Sequence, residues 1–139
     1  MQGLPGSGKS TYVTKLVQSL ESFAVCSADD FFMKEGVYKF DPSKLGEAHG
    51  ECLRKCIKAM IDKTQLVIID NTNTTTEEVS PYMALANAYG YEASILKVEA
   101  APDVCAKRNT HGVSQQAILA MAVRIATFKP LPWWNYQQV

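Results

Sequence analysis

Near the start of the chain, Gly3-Leu4-Pro5-Gly6-Ser7-Gly8-Lys9-Ser10-Thr11 has the residue types and spacing of a phosphate-binding loop: a glycine, four residues, then Gly-Lys-Ser. Glycines let the backbone curl into a nest whose N–H groups all point at an anion. A helix has to follow in register, because the positive end of its dipole favours the same anion. Lys9 is then within reach of β- and γ-phosphates, and the Ser10 hydroxyl is placed to ligate a cation. The spacing implies ATP with Mg2+, surrounded by Gly3, Pro5, Gly6, Ser7, Gly8, Lys9, Ser10 and Thr11.

Two acidic clusters could complete such a site. Phosphoryl transfer asks a protein for positioning, charge compensation and one carboxylate to take the proton of an attacking hydroxyl. Asp29 is the first candidate for that base and Asp30 the second; the plainer reading has one of the pair capping the segment that follows. Asp70 opens Asp70-Asn71-Thr72-Asn73 and stands where an acid commonly holds Mg2+ through water. Its plainer role is to cap the loop, and Asn71, Thr72 and Asn73 are candidate substrate contacts. Arg108 and Arg124 flank the break at Thr110-His111-Gly112, where bidentate donors could close on a transferring phosphate. Lys107 lies beside them, and solvated surface charge is the alternative for all three. His111 could touch phosphate or pin the loop.

These residues need elements to hold them. Val13, Leu16, Val17 and Leu20 recur at helical spacing and predict a helix over 9–20 behind the loop. Phe23 to Cys26 and Leu66 to Ile69 are short apolar runs that each end at an acid, as buried parallel strands do when they deliver polar side chains at one edge. Ala93 to Val98 reads as a third strand. Asp41-Pro42 starts a helix to about Asp62, and Thr75 with Glu78 forms a capping box for a helix that stops at Gly90. A short helix runs from Pro102 to about Asn109, and Ser114 caps the last one before Pro130 and Pro132. Helices alternating with buried strands predict an α/β fold, a three-layer sandwich around a parallel sheet. Only Met1 and Gln2 precede the loop here, so the usual first strand reads as truncated.

Composition narrows the partners. With 139 residues, 47% hydrophobic and 20% charged, a single domain over 1–139 is expected. Fourteen basic and 14 acidic residues cancel, so a nucleic acid would be held by a local patch and not by a global field. No apolar run approaches the roughly 18 residues of a membrane span, and the expected location is cytoplasmic or nuclear. Cys26, Cys52, Cys56 and Cys105 lack paired zinc spacing and read as buried free thiols. Phe31, Phe32, Tyr38 and Phe40 read as a small satellite core before a base-stacking platform, and Trp133-Trp134 as packing.

Taken together, the blocks Gly3 to Thr11, Ser27-Ala28-Asp29-Asp30-Phe31-Phe32, Tyr38-Lys39-Phe40-Asp41-Pro42, Ala48-His49, Ile68-Ile69-Asp70-Asn71-Thr72-Asn73, Pro81-Tyr82 and Arg108-Asn109-Thr110-His111-Gly112-Val113 resemble the P-loop domain of the Nedd-binding P-loop proteins. That domain is similar to the polynucleotide 5′-kinases, and the resemblance extends to about Arg124. It implies transfer of the ATP γ-phosphate to a 5′-hydroxyl of DNA or RNA, with nucleic-acid 5′ ends as acceptor partners. It also implies Asp29 as general base, Lys9 and Ser10 as phosphate and Mg2+ residues, and Arg108 as the first lid arginine. Phe32 stands where phage-type kinases carry a substrate-gripping arginine, and the second lid arginine falls near His111-Gly112. Two rival readings are a nucleotide-binding module acting through partners and a kinase for a small metabolite.

Overall fold

The computed structural model describes residues 1–139. In chain order its elements are α1 (Lys9–Val17), β1 (Phe23–Cys26), β2 (Met33–Lys34), β3 (Val37–Tyr38), α2 (Leu45–Ile61), β4 (Leu66–Ile69), α3 (Thr76–Ala88), β5 (Ser94–Lys97), α4 (Pro102–Arg108), α5 (Gln115–Ala126) and β6 (Asn135–Gln138). Single 3-10 turns cover Asp29–Phe32 and Pro42–Lys44.

Four consecutive aliphatics in β4 leave no polar face for water, so this strand lies inside the sheet with helices over it. It pairs in parallel with β1, Phe23 opposite Leu66 and Cys26 opposite Ile69. β5 pairs in parallel with β6, Ser94 opposite Asn135. Residues 1–3 join these two half-sheets. The Met1 amine donates to the Ile69 carbonyl at 2.8 Å, Gln2 N–H to Leu96 at 2.8 Å and Gly3 N–H to Thr72 at 3.1 Å, while Val98 N–H donates back to Gln2 at 2.8 Å. Gln2 also forms a parallel bridge with Lys97. The sheet therefore runs β1, β4, Met1-Gln2, β5, β6, with every pairing parallel.

Where the sequence predicts a truncated first strand, residues 1–2 form a two-residue parallel bridge. Right-handed crossovers place α1 and α2 on opposite faces, which makes three layers. The remaining space between β4 and β5 is an apolar groove of about 270 Å3, lined by Val67, Ile68 and Ile95, with Leu16 of α1, Met60 of α2 and Met83 of α3 also on its walls.

Two buried clusters hold the fold, one beside β1 and β4 and one between the phosphate loop, α4 and α5. The larger contains Cys26, Phe32, Ala48, Cys52, Cys56, Met60 and Ala86 beside β1 and β4, so the i, i+4 thiols of α2 do face inward. The smaller contains Leu4, Cys105, Ile118 and Ile125. All four thiols are free and buried.

Several details depart from the sequence reading. The segment after Asp30 is a hairpin, β2 with β3, turning on Glu35 (φ 51°) and Gly36 (φ 78°). Positive φ at both central residues is the two-residue turn that matches strand twist, and a glutamate in place of the usual asparagine hides it from a motif search. The polar strand β6 is also unforeseen. α1 ends at Val17, short of Leu20. Thr75 caps α3 by accepting from Glu78 N–H, but the Glu78 carboxylate returns to Thr74 N–H, one residue earlier than the capping box requires. Trp133 is 76% exposed and so does not pack.

Candidate active site

The loop before α1 holds its shape through glycine. Gly8 sits at φ 101° as the residue preceding α1, and no side chain caps that helix, so its first-turn N–H groups are unclaimed. Gly6, at φ 81°, lies so near α4 that an added Cβ would stand 2.4 Å from the Cys105 carbonyl. The loop is therefore seated against α4 and free of side-chain caps on its open side, as an anion nest requires.

Lys9 folds back over this nest, its ammonium donating to the carbonyls of Gly3 and Leu4 at 3.0 Å each. Burial pushes the ammonium below the usual lysine range, while the negative charges of Asp70 and then Asp29 hold it up. Both acids thus act on one lysine, although they leave different strands.

Asp70 follows β4, and its Oδ2 accepts from the Ser10 hydroxyl at 3.1 Å. Its Oδ1 is buried with no partner. A hydroxyl and a carboxylate, one oxygen of it unsatisfied, are hard donors of the number Mg2+ takes from protein when phosphate and water supply the rest. The residues fit that ion. Ser7 Oγ, also in the loop, is the other buried side-chain oxygen without a partner.

Asp29 and Asp30 leave β1 in opposite directions. Asp29 Oδ1 accepts from the Tyr38 hydroxyl at 2.9 Å, and its N–H is held by Ser27 Oγ at 3.2 Å. Asp30 turns to α2 and meets Lys55 at 3.4 Å. Asn71 braces the same corner, accepting from Ala28 N–H at 2.9 Å and donating to Cys52 Sγ at 3.5 Å.

Thr72 and Asn73, read as substrate contacts, lie behind the loop. The Thr72 carbonyl holds Gly3, and Asn73 is 6% exposed with its amide on the Met1 carbonyl and its own carbonyl on the Gln2 side chain. Arg124 also lies there, its Nε donating to Thr74 Oγ1 at 3.0 Å. Arg108 ends α4 exposed, with no hydrogen bond or ion pair. His111 rests edge-on against Tyr38, ring centroids 4.6 Å apart, in a loop shaped by Asn109, whose side chain takes His111 N–H and donates to the Val113 carbonyl. The structure therefore gathers Lys9, Ser10, Asp29 and Asp70 at one edge, with His111 across from Asp29 through Tyr38.

Neither Tyr38 nor Gln2 is marked as a polar site residue by the sequence pattern. Tyr38 sat in an aromatic run that reads as core, and only the hairpin turns its hydroxyl toward Asp29. Gln2 reads as a solvated residue, yet it is fully buried, donating to Asn73 and accepting from the Tyr136 hydroxyl at 2.7 Å.

A parallel sheet, a glycine nest on a helix start and acids gathered at the strand ends define a P-loop domain with the kinase-type fold. Residues 1–118 match the family model described as AAA domain, and the chain belongs to that family. NEDD4-binding protein 2 of Homo sapiens is 36% identical over 136 residues, covering 95% of this chain and 8% of that protein. YLP motif-containing protein 1 of Homo sapiens is 27% identical over 147 residues, covering 88% of this chain and 7% of that protein. The chain thus spans a small part of the length of the curated relatives it matches. Among solved structures, the Pnkp1/Rnl/Hen1 complex superposes with a TM-score of 0.63 at 24% identity, over 77% of this chain and 36% of that one. Mycobacterium tuberculosis APS kinase CysC in complex with AMPPNP and APS gives 0.53 at 16%, over 99% and 84%. These likenesses concern the fold, which is that of P-loop kinases.

Proposed function

We propose that this chain is an ATP-dependent phosphotransferase that moves the γ-phosphoryl group to an alcohol, with the 5′-hydroxyl of a polynucleotide as acceptor. The observation that carries the reading is the meeting of three groups at the ends of neighbouring parallel strands: the loop lysine over its nest, the Ser10 hydroxyl on an Asp70 carboxylate whose other oxygen is buried and unpartnered, and Asp29 just beyond β1. In this reading Asp29 takes the proton of the acceptor hydroxyl as its oxygen attacks the γ-phosphorus in line. The bond from that phosphorus to the β–γ bridging oxygen breaks, and ADP leaves with the negative charge. Lys9 leaves the Gly3 and Leu4 carbonyls to meet β- and γ-oxygens, the loop N–H groups hold the chain of phosphates, and Arg108 compensates charge on the transferring group. Mg2+, held through Ser10 and Asp70, would neutralise the same oxygens.

The polynucleotide acceptor is supported by the similarity to the Pnkp1-containing complex and by local charge. Lys34 and Lys39 stand on or beside the hairpin that carries Tyr38, and Arg108 lies on the lid side, so a phosphodiester meets cations although the whole chain is neutral. Labelled-phosphate transfer from ATP to a 5′-hydroxyl oligonucleotide tests this in wild type, Lys9→Ala and Asp29→Asn. We expect each variant to lose at least about 100-fold in rate. A wild type that binds ATP yet transfers no faster than either variant overturns the reading.

A further inference from the structure

Tyr38 is placed as no core aromatic needs to be. Its ring leans on buried Phe32, centroids 6.2 Å apart, and Phe32 is itself sealed into the larger core at 2% exposure. Its hydroxyl leaves that core and donates to Asp29 Oδ1, while the outer face of the ring takes His111. A phenylalanine would satisfy the packing; the hydroxyl serves only the carboxylate. Asp29 Oδ2 makes no hydrogen bond of its own and is the oxygen left for an acceptor hydroxyl.

We infer that Tyr38 is a positioning residue, which fixes the Asp29 carboxylate with Oδ2 toward the acceptor and transmits to it the resting place of the lid through His111. The inference rests on the phosphotransfer reading above and adds to it the side chain that orients the base. Three links make the path continuous. The Phe32 anchor fixes the ring, the 2.9 Å bond fixes the carboxylate rotamer, and the 4.6 Å ring contact ties the Asn109–Val113 loop to both. Burial, the bond to Asp29 and the Asp29 charge all raise the phenol above its usual range, so it remains a donor at neutral pH. A base that turns freely about its last torsion samples non-productive directions, and small misplacements of a reacting group cost large factors in rate.

The test removes one atom. Tyr38→Phe keeps the ring on Phe32 and His111 and loses only the bond to Asp29. With ATP and a 5′-hydroxyl oligonucleotide, we expect kcat to fall roughly 10- to 100-fold while KM for ATP and the thermal midpoint stay at wild-type values. His111→Ala should slow wild type several-fold and have no further effect in the Tyr38→Phe background, because both act through the same carboxylate. A Tyr38→Phe enzyme with wild-type kcat overturns the positioning role while leaving the phosphotransfer reading intact. Equal factors for His111→Ala in both backgrounds overturn the lid link. An inert wild type removes both readings together.

Discussion

The two halves of the sheet are built from different material and are followed by side chains of opposite charge. The β1–β4 half rests on the larger core and contributes Asp29, Asp30 and Asp70. The helices that follow β5 pack with the phosphate loop around only four buried residues and carry Arg108 and Arg124, with His111 between them. The phosphate loop rides on the seam, where Met1, Gln2 and Gly3 bond to both sides. In the phosphotransfer reading proposed above, a proton acceptor and a metal carboxylate would gain from standing still, and a charge clamp that admits and releases nucleotide would gain from a lighter anchorage. The difference in core size matches that division of labour.

The widest way to sharpen this contrast is to fill the groove between the halves. A four-residue apolar extension joined to Met1, two of its side chains entering the groove, would add ladder bonds to β4 and β5 and bury those side chains. We expect about 3–5 kcal/mol of added stability in urea unfolding and tighter ATP binding, because the nest gains a rigid support. An extended chain with unchanged midpoint and affinity would show that the two-residue bridge already supplies all the anchorage the loop can use.

Gln2→Ala breaks the seam instead. Gln2 is fully buried with both ends of its amide engaged, so truncation leaves the buried Asn73 carbonyl and the half-buried Tyr136 hydroxyl without their partners. At about 1–3 kcal/mol for each abandoned partner, the loss should reach about 2–6 kcal/mol in denaturant unfolding. A change below about 1 kcal/mol would mean that the backbone bonds of residues 1–3 hold the halves together unaided.

The acid half was far more legible in the sequence than its partner. β1 and β4 are apolar runs that end at acids, and the caps at Asp41 and Thr75 sit where the structure uses them. β6 escaped because Asn135-Tyr136-Gln137-Gln138 is a polar edge strand, tied by backbone pairing to β5 and by Tyr136 to Gln2, neither of which leaves a hydrophobic pattern. Tyr38 escaped for a related reason: its chemistry comes from a hairpin whose strands are two residues each and exposed. Spacing brings Arg124 close to Arg108 along the chain. The fold parts them, Arg108 without a partner and Arg124 bonded to Thr74 behind the loop.

Those two arginines give the next comparison. Arg108→Ala removes an unpaired exposed guanidinium, so stability should hold within about 0.5 kcal/mol while phosphoryl transfer falls at least tenfold. Arg124→Ala removes a donor from Thr74, a buried hydroxyl that also bonds Glu78 and thereby ties α5 to the start of α3. It should cost about 1–2 kcal/mol, with ATP affinity close to wild type. The reverse pattern, a stability loss for Arg108 and a rate loss for Arg124, would exchange their assignments.

The smallest effect is a change in the alkaline limb of stability. Burial raises the Tyr136 phenol above its ordinary range, with Lys97 pulling it back down and Glu99 pushing it up. The folded chain therefore keeps a proton that the unfolded chain begins to release near pH 10. Above that pH the folded state binds more protons than the unfolded state, so stability falls as pH rises; below it, the contribution is fully present. Tyr38 and Tyr82 are raised as well and add to the same fall, so the seam's share is seen only by difference. Tyr136→Phe should be less stable than wild type at pH 7, where Gln2 Oε1 loses its donor, and should lose less on passing from pH 9 to pH 11. Parallel pH curves for the two proteins would mean that Tyr136 ionises as readily in the fold as out of it, and that the seam is open to water at the β6 side.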